Sequence, residues 1–148
     1  MVGAERSQRR SRSGFLLFAS AAVAAATGFG SVVSFVKNVP GEPLGIKMKL
    51  TVADSLKVGL GTGLAAPWPM PVVALSAAIA GWWRDRVGGP ARIGQTVGMM
   101  LVLGSLVEPV TWGRRSRSPI IWAAVAANLV AGATLALAGR RASLRSTN

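Results

Sequence analysis

Two side chains inside the long apolar runs of this sequence could do chemistry there. Glu108 is the single charged residue inside such a run, in LVLGSLVEPVTW, and Asn128 lies near the middle of AAVAANLVAGATLALAG. A carboxylate in apolar surroundings can carry a proton or bind a cation. Pro109 can leave nearby carbonyls unpaired, and these would supplement the carboxylate as cation ligands. Glu108 and Asn128 are therefore the candidate polar site.

Each of these residues also has a structural interpretation. Glu108 precedes Trp112 by four residues, so it lies only about 6 Å inside the end of its run. This position favours a partly solvated carboxylate paired with Arg114, Arg115 or Arg117 over a proton or cation site. For Asn128, a hydrogen bond between two helices is favoured over a ligand contact.

The usual catalytic residues are missing. The chain contains no Cys, His or Tyr, and no two of its five acids (Glu5, Glu42, Asp54, Asp85 and Glu108) stand at helical spacing. These gaps exclude thiol chemistry and imidazole catalysis. The glycines at 59, 61 and 63 match neither the dinucleotide-binding nor the phosphate-loop pattern. We therefore predict no enzymatic activity, no metal and no cofactor.

Four apolar runs must position these residues. They cover residues 15–36, 58–83, 93–112 and 119–139, and 51% of the chain is hydrophobic. Each run reaches the roughly 20 residues that a helix needs to cross about 30 Å of hydrocarbon. The predicted fold is all-α, an integral membrane four-helix transmembrane bundle.

The segments outside the bundle are short and basic. Residues 1–14 contain Arg, Ser and Gly with little apolar surface, which predicts a disordered cytoplasmic tail. Residues 140–148 form a short basic C-terminal tail. The first apolar run resembles a signal peptide, but its length favours an uncleaved spanning helix within the 15–139 bundle.

The second run cannot be one regular helix. Pro67, Pro69 and Pro71 remove three amide donors and disfavour helical geometry before each ring, so we expect a kink or break there. Upstream, Thr51 and Asp54 have capping-box spacing, which predicts a helix that begins near residue 52. Segment 50–71 can be interfacial, re-entrant or part of the span.

Small residues recur at intervals of four in three of the runs, and such stripes let helix backbones approach closely. The pattern predicts packing but leaves open whether the partner helix belongs to the same chain. The predicted packing positions are Ala22, Ala26, Gly30, Gly94, Gly98, Ala124 and Gly132.

The basic residues occupy the gaps between the runs. With the N-terminus inside, the inner segments carry four, three and three of the 17 basic residues, and the outer loops carry four and three. This mild bias favours a multi-pass protein of the cell membrane with both termini in the cytoplasm. The gap positions indicate contact with anionic lipid headgroups, and no helix carries the basic face expected for binding nucleic acid.

Three functions are compatible with these features. The favoured hypothesis is a non-enzymatic accessory or self-associating membrane component, with a homo-oligomer or another membrane protein as partner. The alternative is a small transporter or channel subunit whose polar path contains Glu108, Asn128 and the proline break. A lipid-modifying enzyme that uses Glu108 or Asp54 as base comes third.

Overall fold

The computed structural model describes residues 2–39, 51–57, 62, 64–84, 86–113 and 118–144. Within these ranges the chain forms five α-helices and one 3-10 turn. Helix α1 is Val2–Lys37, α2 is Val52–Lys57, α3 is Pro69–Trp83, α4 is Gly88–Val107 and α5 is Pro119–Leu144, while the 3-10 turn is Pro109–Trp112.

The protein is an all-α membrane bundle. Among the described residues, three helical stretches are long and apolar enough to cross a membrane: Arg10–Lys37, Gly88–Val107 and Pro119–Leu144. Helix α3 is apolar but has 15 residues. At 1.5 Å per residue it measures about 22 Å, less than the roughly 30 Å of a bilayer core.

Helices α1, α3, α4 and α5 pack side by side in alternating directions. Gly14 and Gly28 of α1 lie against Trp82 and Trp68 of α3, so these two helices are antiparallel. Helix α4 follows α3 after a short turn, and Gly98 of α4 lies against the helical turn of α5 that begins at Gly132. The N-terminal part of α1, the turn between α3 and α4 and the end of α5 therefore lie at one end of the bundle.

The contact between α4 and α5 depends on glycine. A Cβ atom at Gly98 would lie 2.6 Å from the carbonyl oxygen of Gly132 and closer still to the amide nitrogen of Ala136. Gly139 is equally crowded by the backbone of Ala91 and Gln95. At the predicted positions Gly98 and Gly132, the helix partner therefore belongs to the same chain.

The other predicted packing positions have mixed surroundings. Ala26, Gly94 and Ala124 are buried, whereas Ala22 is only half-buried. Bulky apolar side chains point outward along α1, as expected for a lipid-facing surface. They are Phe15, Phe18, Phe29, Val32, Phe35 and Val36.

Several predicted boundaries differ from the structure. Helix α1 begins at Val2, inside the segment predicted to be a disordered tail, and α5 continues past Gly139 to Leu144. Residues such as Ala4, Glu5 and Gln8 are good helix formers, and extending an existing helix needs no new nucleation. Hydrophobicity marks where a helix can be buried and not where it ends.

The proline-rich run is interrupted as predicted, but not by all three prolines. Pro69 and Pro71 lie in the first turn of α3, where a missing amide costs no helical hydrogen bond. The described residues between 62 and 68 are not helical. Upstream, the amide of Asp54 donates to the Thr51 hydroxyl over 3.1 Å, and α2 begins at Val52 as predicted.

The third run is also divided. Helix α4 ends at Val107, and Glu108 has an extended backbone with φ −81° and ψ 131°. The ring of Pro109 disfavours a helical conformation in the residue before it. The chain then continues as the 3-10 turn, so the predicted span 93–112 is a helix followed by a turn.

Candidate functional site

The side chain of Asn128 joins three parts of the bundle. It is 5% exposed, and its Nδ2 atom donates to the carbonyl oxygens of Leu64 at 2.9 Å, Ala124 at 3.0 Å and Ala26 at 3.3 Å. Two amide hydrogens serve three acceptors, so at least one hydrogen is shared. The bond to Ala26 is the interhelical bond expected from sequence, and the bond to Leu64 reaches the non-helical segment before α3.

A glycine on α1 makes room for this arrangement. A Cβ atom at Gly30 would overlap the carbonyl group of Leu64 and lie 3.0 Å from Nδ2 of Asn128. Any side chain at position 30 would therefore push the segment away from the helix. Gly30, Leu64 and Asn128 must be considered together, and with Ser34 and Thr62 they form what we call the polar junction.

The polar junction also satisfies the backbone before α3. The hydroxyls of Ser34 and Thr62 are 2.7 Å apart, and Thr62 and Ala65 exchange two backbone hydrogen bonds of 2.8 and 3.2 Å. Non-helical backbone is tolerated at membrane depth only where it is buried within protein. The junction therefore allows the chain to interrupt its helix inside the bundle.

A row of hydroxyl residues extends along the buried side of α1. Ser13, Ser20, Thr27 and Ser34 recur every seven residues, and all four are buried. The hydroxyls of Ser20 and Thr27 have no hydrogen-bond partner among the described residues, although both residues are 0% exposed. Because seven residues make nearly two helical turns, this hydroxyl row keeps to one side of the helix.

The length of the hydroxyl row matches a membrane. Ser13 and Ser34 are about 31 Å apart along the axis at 1.5 Å per residue, which equals the thickness of a hydrocarbon core. Buried hydroxyls without partners are costly, and they are usually found with water or a polar ligand. Sequence analysis missed this row, although its heptad spacing is readable in the sequence.

Glu108 lies where α4 ends, and its side chain is 6% exposed. The next residues cap that helix end. The Thr111 hydroxyl donates to the carbonyl of Ser105, and the indole nitrogen of Trp112 donates to the carbonyl of Leu106 over 2.9 Å. The last carbonyls of a helix have no partner within it, so these side chains replace the missing bonds. The residues predicted to pair with Glu108, at 114, 115 and 117, lie outside the described part of the chain.

The predicted site residues are brought partly together. Asn128 contacts the segment that precedes the prolines, as its bond to Leu64 shows. The α4–α5 register places Glu108 at the depth of Ala124, about one helical turn from Asn128. Val110, Leu64 and Ala124 belong to one buried apolar cluster, which lies beside the polar junction.

One end of the bundle is formed by the N-terminal part of α1, the α3–α4 turn and the end of α5. Every basic side chain described there is an arginine. Those arginines whose side chains are described are Arg10, Arg12, Arg84, Arg86, Arg92, Arg140 and Arg141. We call this the arginine end.

Comparison with family models, curated proteins and solved structures finds no match for this chain. The fold and the sites therefore define a class, an all-α membrane bundle with a buried polar junction. Any more specific function has to be argued from the geometry.

Proposed function

We propose that the chain is a four-span, multi-pass protein of the cell membrane that acts without catalysis, as a self-associating or accessory component. In this arrangement α3 and the non-helical segment before it complete the second crossing. The alternating helix directions place both termini at the arginine end. The positive-inside rule then assigns that end to the cytoplasm.

The observation that carries this proposal is the outward face of α4. Gly104 is exposed, and a Cβ atom there would meet nothing within 4 Å. Glycine weakens a helix by about 1 kcal/mol relative to alanine, and on a lipid-facing surface nothing offsets that cost. About a third of a turn away around the same helix, Gly98 is explained by the approach of α5.

The neighbours of Gly104 strengthen the argument. Thr96 and Met100 precede it at intervals of four, and both are exposed. This face therefore combines a glycine, a threonine hydroxyl and a flexible methionine thioether. Such side chains are typical of a surface on which a second helix packs. The outward face of α1 is bulky instead, with Phe18 at 68% exposure. We assign the α4 face to a second copy of the chain or to a partner helix, and the α1 face to lipid.

The absence of cysteine from the native sequence allows a direct test. Single-cysteine variants Met100→Cys and Phe18→Cys would be treated in native membranes with a short bismaleimide. We expect an adduct of twice the chain mass, or one discrete heterologous adduct, from Met100→Cys. Phe18→Cys, equally apolar and outward, is the matched control and should remain monomeric. Monomer alone at both positions would contradict the proposal.

A second candidate function is favoured by the hydroxyl row. A transporter or channel subunit would use Ser20 and Thr27 as a polar lining, and it would have Asn128 and Glu108 near one end. The length of the row and the two hydroxyls that have no partner among the described residues support this candidate. The exposed glycine on the outward face of α4 supports the accessory role instead, so we rank transport second.

Transport can be tested with conservative variants in proteoliposomes. Thr27→Val removes the hydroxyl while keeping the side-chain shape, and Glu108→Gln removes the charge. We expect both to lower a proton or small-cation flux, whereas Ser76→Ala, on the exposed side of α3, should leave it unchanged. Wild-type rates in both variants would eliminate the candidate.

The lipid-modifying enzyme keeps the third rank. Its proposed base Asp54 accepts a hydrogen bond from the Thr51 hydroxyl over 2.6 Å and lies in the first turn of α2, which is a capping role.

A further inference from the structure

A groove opens between α1 and α5 at the arginine end. Its volume is about 160 Å³, and Ser11, Arg12, Phe15, Ala138, Arg141 and Ala142 line it. A cavity needs roughly 10–15 Å³ of such volume to hold one water molecule, so this groove has room for a larger group.

The groove is polar at its outer part and apolar at its inner part. Phe15 lies one turn deeper along α1 than Ser11 and Arg12. Because α5 is antiparallel to α1, Ala138 likewise lies about one turn deeper than Arg141. A molecule that fills the groove would therefore present a polar group to the arginines and an apolar part toward the bilayer.

Arg12 has one unsatisfied donor in this groove. Its side chain is only partly exposed, and its Nε atom is buried without a hydrogen bond among the described residues. A guanidinium has five donors and no acceptor, so only an acceptor can satisfy it. The described residues that line the groove include no carboxylate, and the Ser11 hydroxyl makes no bond to Nε, so an anionic ligand would supply the missing acceptor.

The charge of this region selects an anion. Arg141 lies on the same groove, and the other cations of the arginine end raise the local potential further. Guanidinium groups bind phosphate through two parallel hydrogen bonds, which an ammonium group cannot do. The final carbonyls of α5 carry a partial negative charge, so the attraction must come from the arginines themselves.

We propose that this groove binds the headgroup phosphate of an anionic phospholipid, with Arg12 and Arg141 on the phosphate and Phe15 beside an acyl chain. The proposal depends on the membrane-bundle fold and is independent of whether the protein acts as an accessory or in transport.

The test is a lipid titration of the purified full-length protein in detergent, read by native mass spectrometry. Phosphatidylglycerol, phosphatidylcholine and inorganic phosphate are the three ligands. We expect phosphatidylglycerol to bind at least about tenfold more tightly than phosphatidylcholine, and Arg12→Gln or Arg141→Gln to remove about tenfold of that affinity. Phe15→Ala should weaken both lipids, because it shortens the apolar wall of the groove.

The matched control is Arg92→Gln, which removes the same charge from an exposed position at the same end. It should lower phosphatidylglycerol affinity by less than about threefold, as expected for one screened surface charge. Equal losses in Arg12→Gln and Arg92→Gln would show diffuse attraction and overturn the site. Equal affinity for the two lipids, or displacement of lipid by millimolar inorganic phosphate, would also overturn it. Circular dichroism establishes that each variant is folded.

Discussion

Gly98→Ala should destabilise the bundle although alanine is the better helix former. The added methyl would meet the Gly132 carbonyl oxygen at 2.6 Å and the Ala136 amide nitrogen at a shorter distance. Both obstacles are backbone, so neither can rotate away. Helix α5 would have to retreat by about 0.8 Å to restore ordinary contact with that oxygen, and the neighbouring contact at Gly139 would open with it.

The magnitude follows from two opposing effects. Overpacking a well-filled interior costs about 1–3 kcal/mol. Replacing glycine by alanine in a helix returns about 1 kcal/mol. Because the overlapping atoms belong to backbone, the cost should fall in the upper part of that range, which gives a net loss of about 1–2 kcal/mol.

Unfolding in mixed micelles with increasing SDS, followed by loss of helical circular dichroism, measures this difference. The control is Gly104→Ala on the same helix, where the methyl meets nothing within 4 Å. The control should be unchanged or more stable by up to about 1 kcal/mol. Equal stability of the two variants would refute the claim that α4 and α5 are in backbone contact at Gly98.

Three further predictions concern individual hydrogen bonds. Asn128→Leu should lower the free energy of unfolding by about 0.6–1.7 kcal/mol and raise hydrogen exchange around Leu64, because the carboxamide donates to the Leu64 carbonyl oxygen. Unchanged exchange there would contradict the polar junction. Trp112→Phe removes the donor to the Leu106 carbonyl and should cost about 0.5–1.5 kcal/mol in the same SDS assay, and a neutral result would exclude the cap. Thr51→Ala should loosen α2 locally by about 0.5–2 kcal/mol, measured by hydrogen exchange of that helix, while Thr51→Ser should retain its protection.

Sequence patterns predicted the class of this protein because helices that lie in lipid must be composed mainly of apolar residues. Long apolar runs between basic residues are needed wherever a helix lies in lipid, and three of the four runs contain such helices. The proline-rich run was correctly predicted to be interrupted. Capping of α2 by Thr51 was equally local, since the spacing of two residues determines it.

Helix ends were predicted less well. Residues 2–14 and 140–144 are helical although they are basic and polar, because hydrophobicity reports burial and not helix propensity. Pro71 lies inside α3 because the first turn of a helix tolerates proline. The site was predicted in its parts: Asn128 and the proline break were both identified, but not their hydrogen-bonded contact through Leu64.

By itself, the sequence determined that the chain is helical, lies in a membrane and must interrupt its second run. It also contained the small residues and the heptad of hydroxyls, whose spacing is a property of one helix alone. Only the tertiary structure decided that Gly98 packs on α5 while Gly104 remains exposed. Tertiary structure likewise brought Arg12 to Arg141 and Asn128 to Leu64. The residues of each of these two pairs are more than 60 positions apart in the chain. Their contact therefore depends on how the helices pack, and no local sequence pattern predicts it.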